Sequence, residues 1–64
     1  MKQEGIVQFY IREKGYGYIR VETTHEEFHF RERNLKTAVE DGDRVMFEIG
    51  EDNQGLFAKN VTKL

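Results

Sequence analysis

Apolar and polar residues alternate along most of this chain, and the alternation predicts short strands joined by polar turns. Gly5-Ile6-Val7-Gln8-Phe9-Tyr10-Ile11 is β-branched and aromatic, and reads as a first strand. Arg12-Glu13-Lys14-Gly15 is a polar turn ending in glycine, and Tyr16 to Glu22 continues as a second strand. Ile19 and Val21 face inward there and Arg20 outward, so the first two strands form a hairpin. Farther on, Val45, Phe47 and Ile49 alternate with Arg44, Met46 and Glu48, the pattern of a half-buried strand. Asp52-Asn53-Gln54-Gly55 is a turn, and Leu56 to Leu64 is a last strand with Val61 in the core.

Residues 23–42 admit two readings. As a strand, Glu26 to Arg31 is short and aromatic. As a helix, Thr24 and Glu27 make a capping box, Phe28, Leu35 and Val39 fall near one face, and Gly42 ends it. The local signal slightly favours helix. Four or five short strands in 64 residues nevertheless point to an all-β chain closed into a small barrel.

The stretch Lys14-Gly15-Tyr16-Gly17-Tyr18-Ile19 carries the candidate chemistry. Alternation puts Tyr16 and Tyr18 on one face, with Gly15, Gly17 and Ile19 on the other. The glycines leave no side chain beside the tyrosines, so a flat ligand can approach the backbone. Lys14 adds a cation at the edge. Paired aromatics beside a basic residue suit stacking of unpaired bases. The plainer reading is a tyrosine-rich hairpin whose rings cover the sheet, and these six residues alone do not separate the two.

Length and composition narrow the field. The 64 residues make one domain, 1–64, near the lower limit for folding without staples. Cysteine is absent, which removes disulfides and thiolate metal sites and suits a reducing compartment. No apolar run approaches membrane-spanning length and no signal-peptide pattern precedes the first glycine, so a cytoplasmic protein is expected. The net charge of −2 argues against binding duplex DNA mainly through phosphates. Residues 1–36 hold seven Lys/Arg against six Asp/Glu, and residues 37–64 hold three against six. A weakly basic face on an acidic body fits those counts.

Over nearly its whole length the chain resembles the cold-shock domain family, five-stranded antiparallel barrels of the oligonucleotide-binding class. The resemblance begins at Gly5-x-Val7-x-Phe9, where the family has glycine, valine and usually tryptophan then phenylalanine. It continues through Glu13-Lys14-Gly15-Tyr16-Gly17-Tyr18-Ile19, close to the family's Lys-Gly-Phe-Gly-Phe-Ile motif. It ends with Gly42-Asp43-x-Val45-x-Phe47-Glu48 and Ala58-x-Asn60-Val61. The resemblance implies a monomer that binds single-stranded RNA and DNA with little sequence preference, stacking bases on strand aromatics. The implied role is to keep RNA unpaired, as a chaperone affecting transcription or translation, with no cofactor. By position, Phe9 replaces the family's tryptophan, Tyr16 and Tyr18 replace its phenylalanines, and Lys14 matches the motif lysine.

The third strand departs from the family. Its motif Val-Phe-Val-His-Phe is here Glu26-Glu27-Phe28-His29-Phe30. Aligned on the histidine, His29 and Phe30 match binding positions, Phe28 replaces a core valine, and Glu27 stands where the family has an aromatic platform. Aligned on the first phenylalanine, Phe28 and Phe30 share the binding face and His29 turns inward. The first register is preferred, because it buries an apolar residue rather than a histidine. The following loop, Arg31-Glu32-Arg33-Asn34-Leu35-Lys36, lacks the family's further aromatic. Arg31 and Arg33 there either contact the nucleic acid or lie in a solvated loop.

Two other classes compete. His25-Glu26-Glu27-Phe28-His29 fits the zinc-protease pattern His-Glu-x-x-His, which needs a helix to bring both imidazoles to one metal. On a strand the two lie roughly 13 Å apart, at about 3.3 Å per residue. The barrel reading therefore expects no metal and no enzyme, and the absence of serine removes a serine nucleophile. A small barrel that binds another protein through its tyrosines is the remaining class.

Overall fold

The computed structural model describes residues 2–64. Five antiparallel strands make one sheet in the order β3-β2-β1-β4-β5: β1 Lys2–Ile11, β2 Tyr16–Arg20, β3 Glu27–Arg31, β4 Arg44–Asp52 and β5 Gly55–Lys63. β1 is the hinge of the fold. Its first half, Lys2 to Ile6, pairs with β4, and its second half, Ile6 to Ile11, pairs with β2. Closure comes from the segment after β3. Leu35 bridges Val61 in parallel, and the Lys36 amide donates to the Val61 carbonyl at 2.7 Å. This is the all-β five-stranded barrel that the alternation and the resemblance both imply.

Turn chemistry is local and agrees with the sequence. The amides of Lys14 and Gly15 donate to the Ile11 carbonyl at 3.0 and 2.8 Å, and Gly15 takes φ +73°, where a side chain would be strained. At the β4–β5 turn the Asp52 carboxylate accepts from the Gln54 amide at 2.8 Å.

Between residues 23 and 42 the helix reading is wrong. Glu27–Arg31 is a strand, followed by a single 3₁₀ turn, Glu32–Asn34. Thr24 does not cap a helix; its hydroxyl engages the amide and carboxylate of Glu26 within the β2–β3 turn, at 3.3 and 3.0 Å. Helix propensity loses because the open edge of β2 offers five successive partners, from Tyr16↔Arg31 to Arg20↔Glu27. Those pairs bury Phe28 and Phe30 together, which a lone helix cannot match.

The core holds Val7, Ile19, Val21, Phe28, Phe30, Val39, Val45, Phe47, Ala58 and Val61, with Phe28 and Phe47 rings 5.7 Å apart. Val39 comes from the loop over residues 35–43, which is pinned to β1. There Asp41 accepts from the Tyr10 amide at 2.9 Å, and the Gly42 amide donates to the Val7 carbonyl at 2.8 Å. Two expectations need correction. Ile49 is 37% exposed rather than inward; it follows the register irregularity between Met46 and Glu48, where the simple alternation of β4 against β5 is interrupted. Phe30, expected among the binding positions, has no exposed surface at all. Period two ties Phe30 to Phe28, so burying one on this strand buries the other.

Candidate nucleic-acid interface

The outer face of β1, β2 and β3 carries four rings: Phe9, Tyr16, Tyr18 and His29. Phe9 lies 6.4 Å from Tyr16, edge-on, and 5.3 Å from Tyr18, tilted. Tyr18 lies 6.0 Å from His29, its cross-strand partner. All four are half-buried, with one side against the sheet and the other open. His29 outward with Phe28 at 4% exposure is the geometry of the preferred register.

Phe9 reaches this face through a β-bulge. Val7 pairs with Ile19 and Phe9 with Tyr18, so Gln8 is the extra residue on β1. The bulge shifts the alternation, letting Val7 point into the core and Phe9 point out beside Tyr18. The next residue, Tyr10, then turns inward and packs its ring 5.6 Å from Phe30.

Gly17 serves a different purpose from the one its sequence context suggests. A Cβ there would stand 2.2 Å from the Phe9 carbonyl oxygen and 2.8 Å from Cζ of Phe30. Its missing side chain admits the β1 backbone and the Phe30 ring from inside, not a ligand from outside.

The cations are distributed favourably. Among the described residues the ion pairs are Arg44 with Glu22 at 3.4 Å and Glu4 at 3.9 Å, and Lys63 with Asp43 at 3.7 Å. Lys14, in the turn before Tyr16, and Arg31, opposite Tyr16 on β3, are exposed and in no ion pair. The same holds for Arg12 and Arg33. The Arg31 amide is held by the Asn34 side chain at 2.9 Å, which fixes the backbone but leaves the guanidinium outside.

Glu27 is exposed at the start of β3, opposite Arg20. With Tyr18 and His29 it lines a cleft of about 350 Å³ together with Asp52 at the end of β4, Gln54 in the turn and Leu56 at the start of β5. These last three are a contribution that reading the turn as a turn does not reveal. Their only sequence signal is Leu56, an apolar residue that stays 55% exposed.

The His-Glu-x-x-His pattern falls on two different elements. His25 sits in the β2–β3 turn at φ +64°, and His29 lies on β3, so the pattern lacks the helix its metal chemistry requires.

Comparison with known proteins identifies the family. Residues 3–64 match the family model described as the 'Cold-shock' DNA-binding domain. The chain is 43% identical over 65 residues to cold shock protein CspD of Bacillus subtilis, spanning 97% of this chain and 98% of that one. It is 44% identical over 66 residues to cold shock protein CspB of Bacillus caldolyticus, at 97% and 98% coverage. It is 42% identical over 67 residues to the major cold shock protein CspA of Bacillus cereus, covering both chains fully. The four-ring face, the barrel and the match over nearly every residue make this chain a member of the cold-shock DNA-binding domain family.

Proposed function

We propose that this chain binds single-stranded RNA and DNA as a monomer, stacking unpaired bases on Phe9, Tyr16, Tyr18 and His29. The observation that carries this reading is the ring cluster itself, with Phe9 turned out of the core by a bulge to stand 5.3 Å from Tyr18. Lys14 and Arg31 hold phosphates at its edge. Phe30 takes part only from beneath, as the support of Gly17. Each stacked base gains about 1–3 kcal/mol, comparable to one base-pair step, so binding melts weak hairpins but leaves long duplexes intact. That is the physical basis of a cytoplasmic RNA chaperone acting in the stress response, and it needs neither cofactor nor metal. No helix of the described residues is long and apolar enough to cross a membrane.

The test compares oligo-U, oligo-dT and a matched duplex, with tyrosine fluorescence as readout. Both single strands are expected to quench and the duplex to leave the signal unchanged. A barrel that only binds proteins would give no quenching with any of them. Salt supplies a second check. With so few free cations beside the rings, the slope of log affinity against log salt should correspond to roughly one to three phosphates, at about 0.7 per single-strand contact. A slope near that of roughly seven contacts would assign binding to the backbone instead.

Glu27 is the residue of this face that weakens binding. Its carboxylate offers no stacking surface and repels phosphate, yet it accepts hydrogen bonds from the amino groups of cytosine or guanine. Glu27→Phe should tighten oligo-dT binding by about 1 kcal/mol or more through added stacking. Affinities of wild type and variant for oligo-dT and oligo-dC decide it; unchanged values for both would place Glu27 off the path.

A further inference from the structure

The outer face continues beyond the rings. One outward position past Tyr18 on β2 stands Arg20, opposite Ile6 on β1. These two, the bulge residue Gln8 and His25 of the β2–β3 turn line a cleft of about 520 Å³. Ile6 is only half-buried, so the cleft has an apolar side next to a guanidinium.

Arg20 is held in place without a carboxylate. Its Nη2 lies 2.9 Å from Nδ1 of His25, so the guanidinium donates and the imidazole accepts. His25 reaches it because the turn folds back: the His25 amide donates to the Val21 carbonyl at 2.8 Å, and the Val21 amide to the Glu26 carbonyl at 2.9 Å. That fold puts His25 at φ +64°, uncommon for a residue with a side chain. Glu22 also lines the cleft, but its carboxylate is engaged by Arg44 at 3.4 Å. Arg20 itself is in no ion pair among the described residues.

We infer that this cleft is an additional nucleotide subsite, in which a nucleobase stacks on the Arg20 guanidinium against Ile6. A guanidinium plane stacks on aromatic faces, and RNA-binding proteins use it as they use rings. The His25 hydrogen bond occupies one edge of the fork and restricts its rotation, which leaves the flat face open and preorganised. Ile6 covers the apolar side of the base. Gln8, with both donor and acceptor on its amide, accommodates any base edge. The subsite rests on the single-strand reading above and lengthens its path by one nucleotide past Tyr18.

The test is a series of oligo-dT strands lengthened one nucleotide at a time, titrated until affinity stops rising. Arg20→Ala is expected to reach its plateau one nucleotide earlier, with plateau affinity lowered roughly five-fold or more and the shortest strands bound as by wild type. Arg20→Lys keeps the charge but lacks the plane, and should behave like Arg20→Ala. Full affinity in Arg20→Lys would make the contact one of charge alone and overturn the stacking subsite. An Arg20→Ala curve identical to wild type would overturn it as well, while the single-strand reading stands. If wild type binds no strand of any length, the single-strand reading itself fails.

Discussion

Phe30→Ala is expected to remove roughly 3–5 kcal/mol of stability, the usual cost of emptying a buried phenylalanine site. A chain of 64 residues has only about 3–10 kcal/mol in total at roughly 0.05–0.15 kcal/mol per residue, so much of the variant should be unfolded at room temperature. The reason is geometric. Phe30 is fully buried, packs its ring 5.6 Å from Tyr10, and lies directly beneath Gly17, with Cζ 2.8 Å from where a Cβ would be. Urea denaturation measures the loss. Phe30→Leu, which keeps most of the volume, isolates the binding question because it retains a folded population. Its folded fraction should bind oligo-dT as tightly as wild type. A Phe30→Leu variant of native stability that binds about 1–3 kcal/mol more weakly would make Phe30 a stacking residue after all.

Replacing both tyrosines should do the opposite. Tyr16→Ala with Tyr18→Ala is expected to weaken single-strand binding by roughly 2–6 kcal/mol, about 30-fold to 10⁴-fold, since each ring contributes about 1–3 kcal/mol. Stability should fall by on the order of 1 kcal/mol per site or less, because both side chains face outward. Phe9 touches both rings, so the two losses are coupled rather than independent. The single variants and the double variant therefore belong in one cycle, read by fluorescence of a labelled strand. A double variant that unfolds, while its folded remainder binds normally, would invert the assignment of faces.

These two predictions differ because neighbouring strands put their aromatics on opposite sides of one sheet. That difference is partly written in the chain. Period two fixes the direction of each side chain relative to its neighbours, so Ile19 and Val21 inward against Arg20 outward follows from the residues themselves. The same holds for Val45 and Phe47 against Arg44, and for Tyr16 and Tyr18 on a common face. Turns that need a particular residue are equally local: Gly15 at positive φ and Asp52 closing on Gln54 are readable where they stand.

Tertiary structure decided what depends on partners far along the chain. β3 is a strand only because β2 presents an unpaired edge; its own capping box and apolar spacing favour helix. Phe9 faces out because β1 bends from β4 to β2 and accommodates the bend with the bulge at Gln8. A matching irregularity on β5, with Asn60 at φ +53°, lets Ala58 and Val61 both face the core although they are three residues apart. Gly17, which in sequence looks like room for a ligand, is room for the Phe9 carbonyl and the Phe30 ring. The alternating strands, their turns and the paired tyrosines are legible in the chain, because those depend on adjacent residues. Closing the barrel decided where the alternation breaks, because a bulge is placed by the strands on either side and not by the residue that forms it.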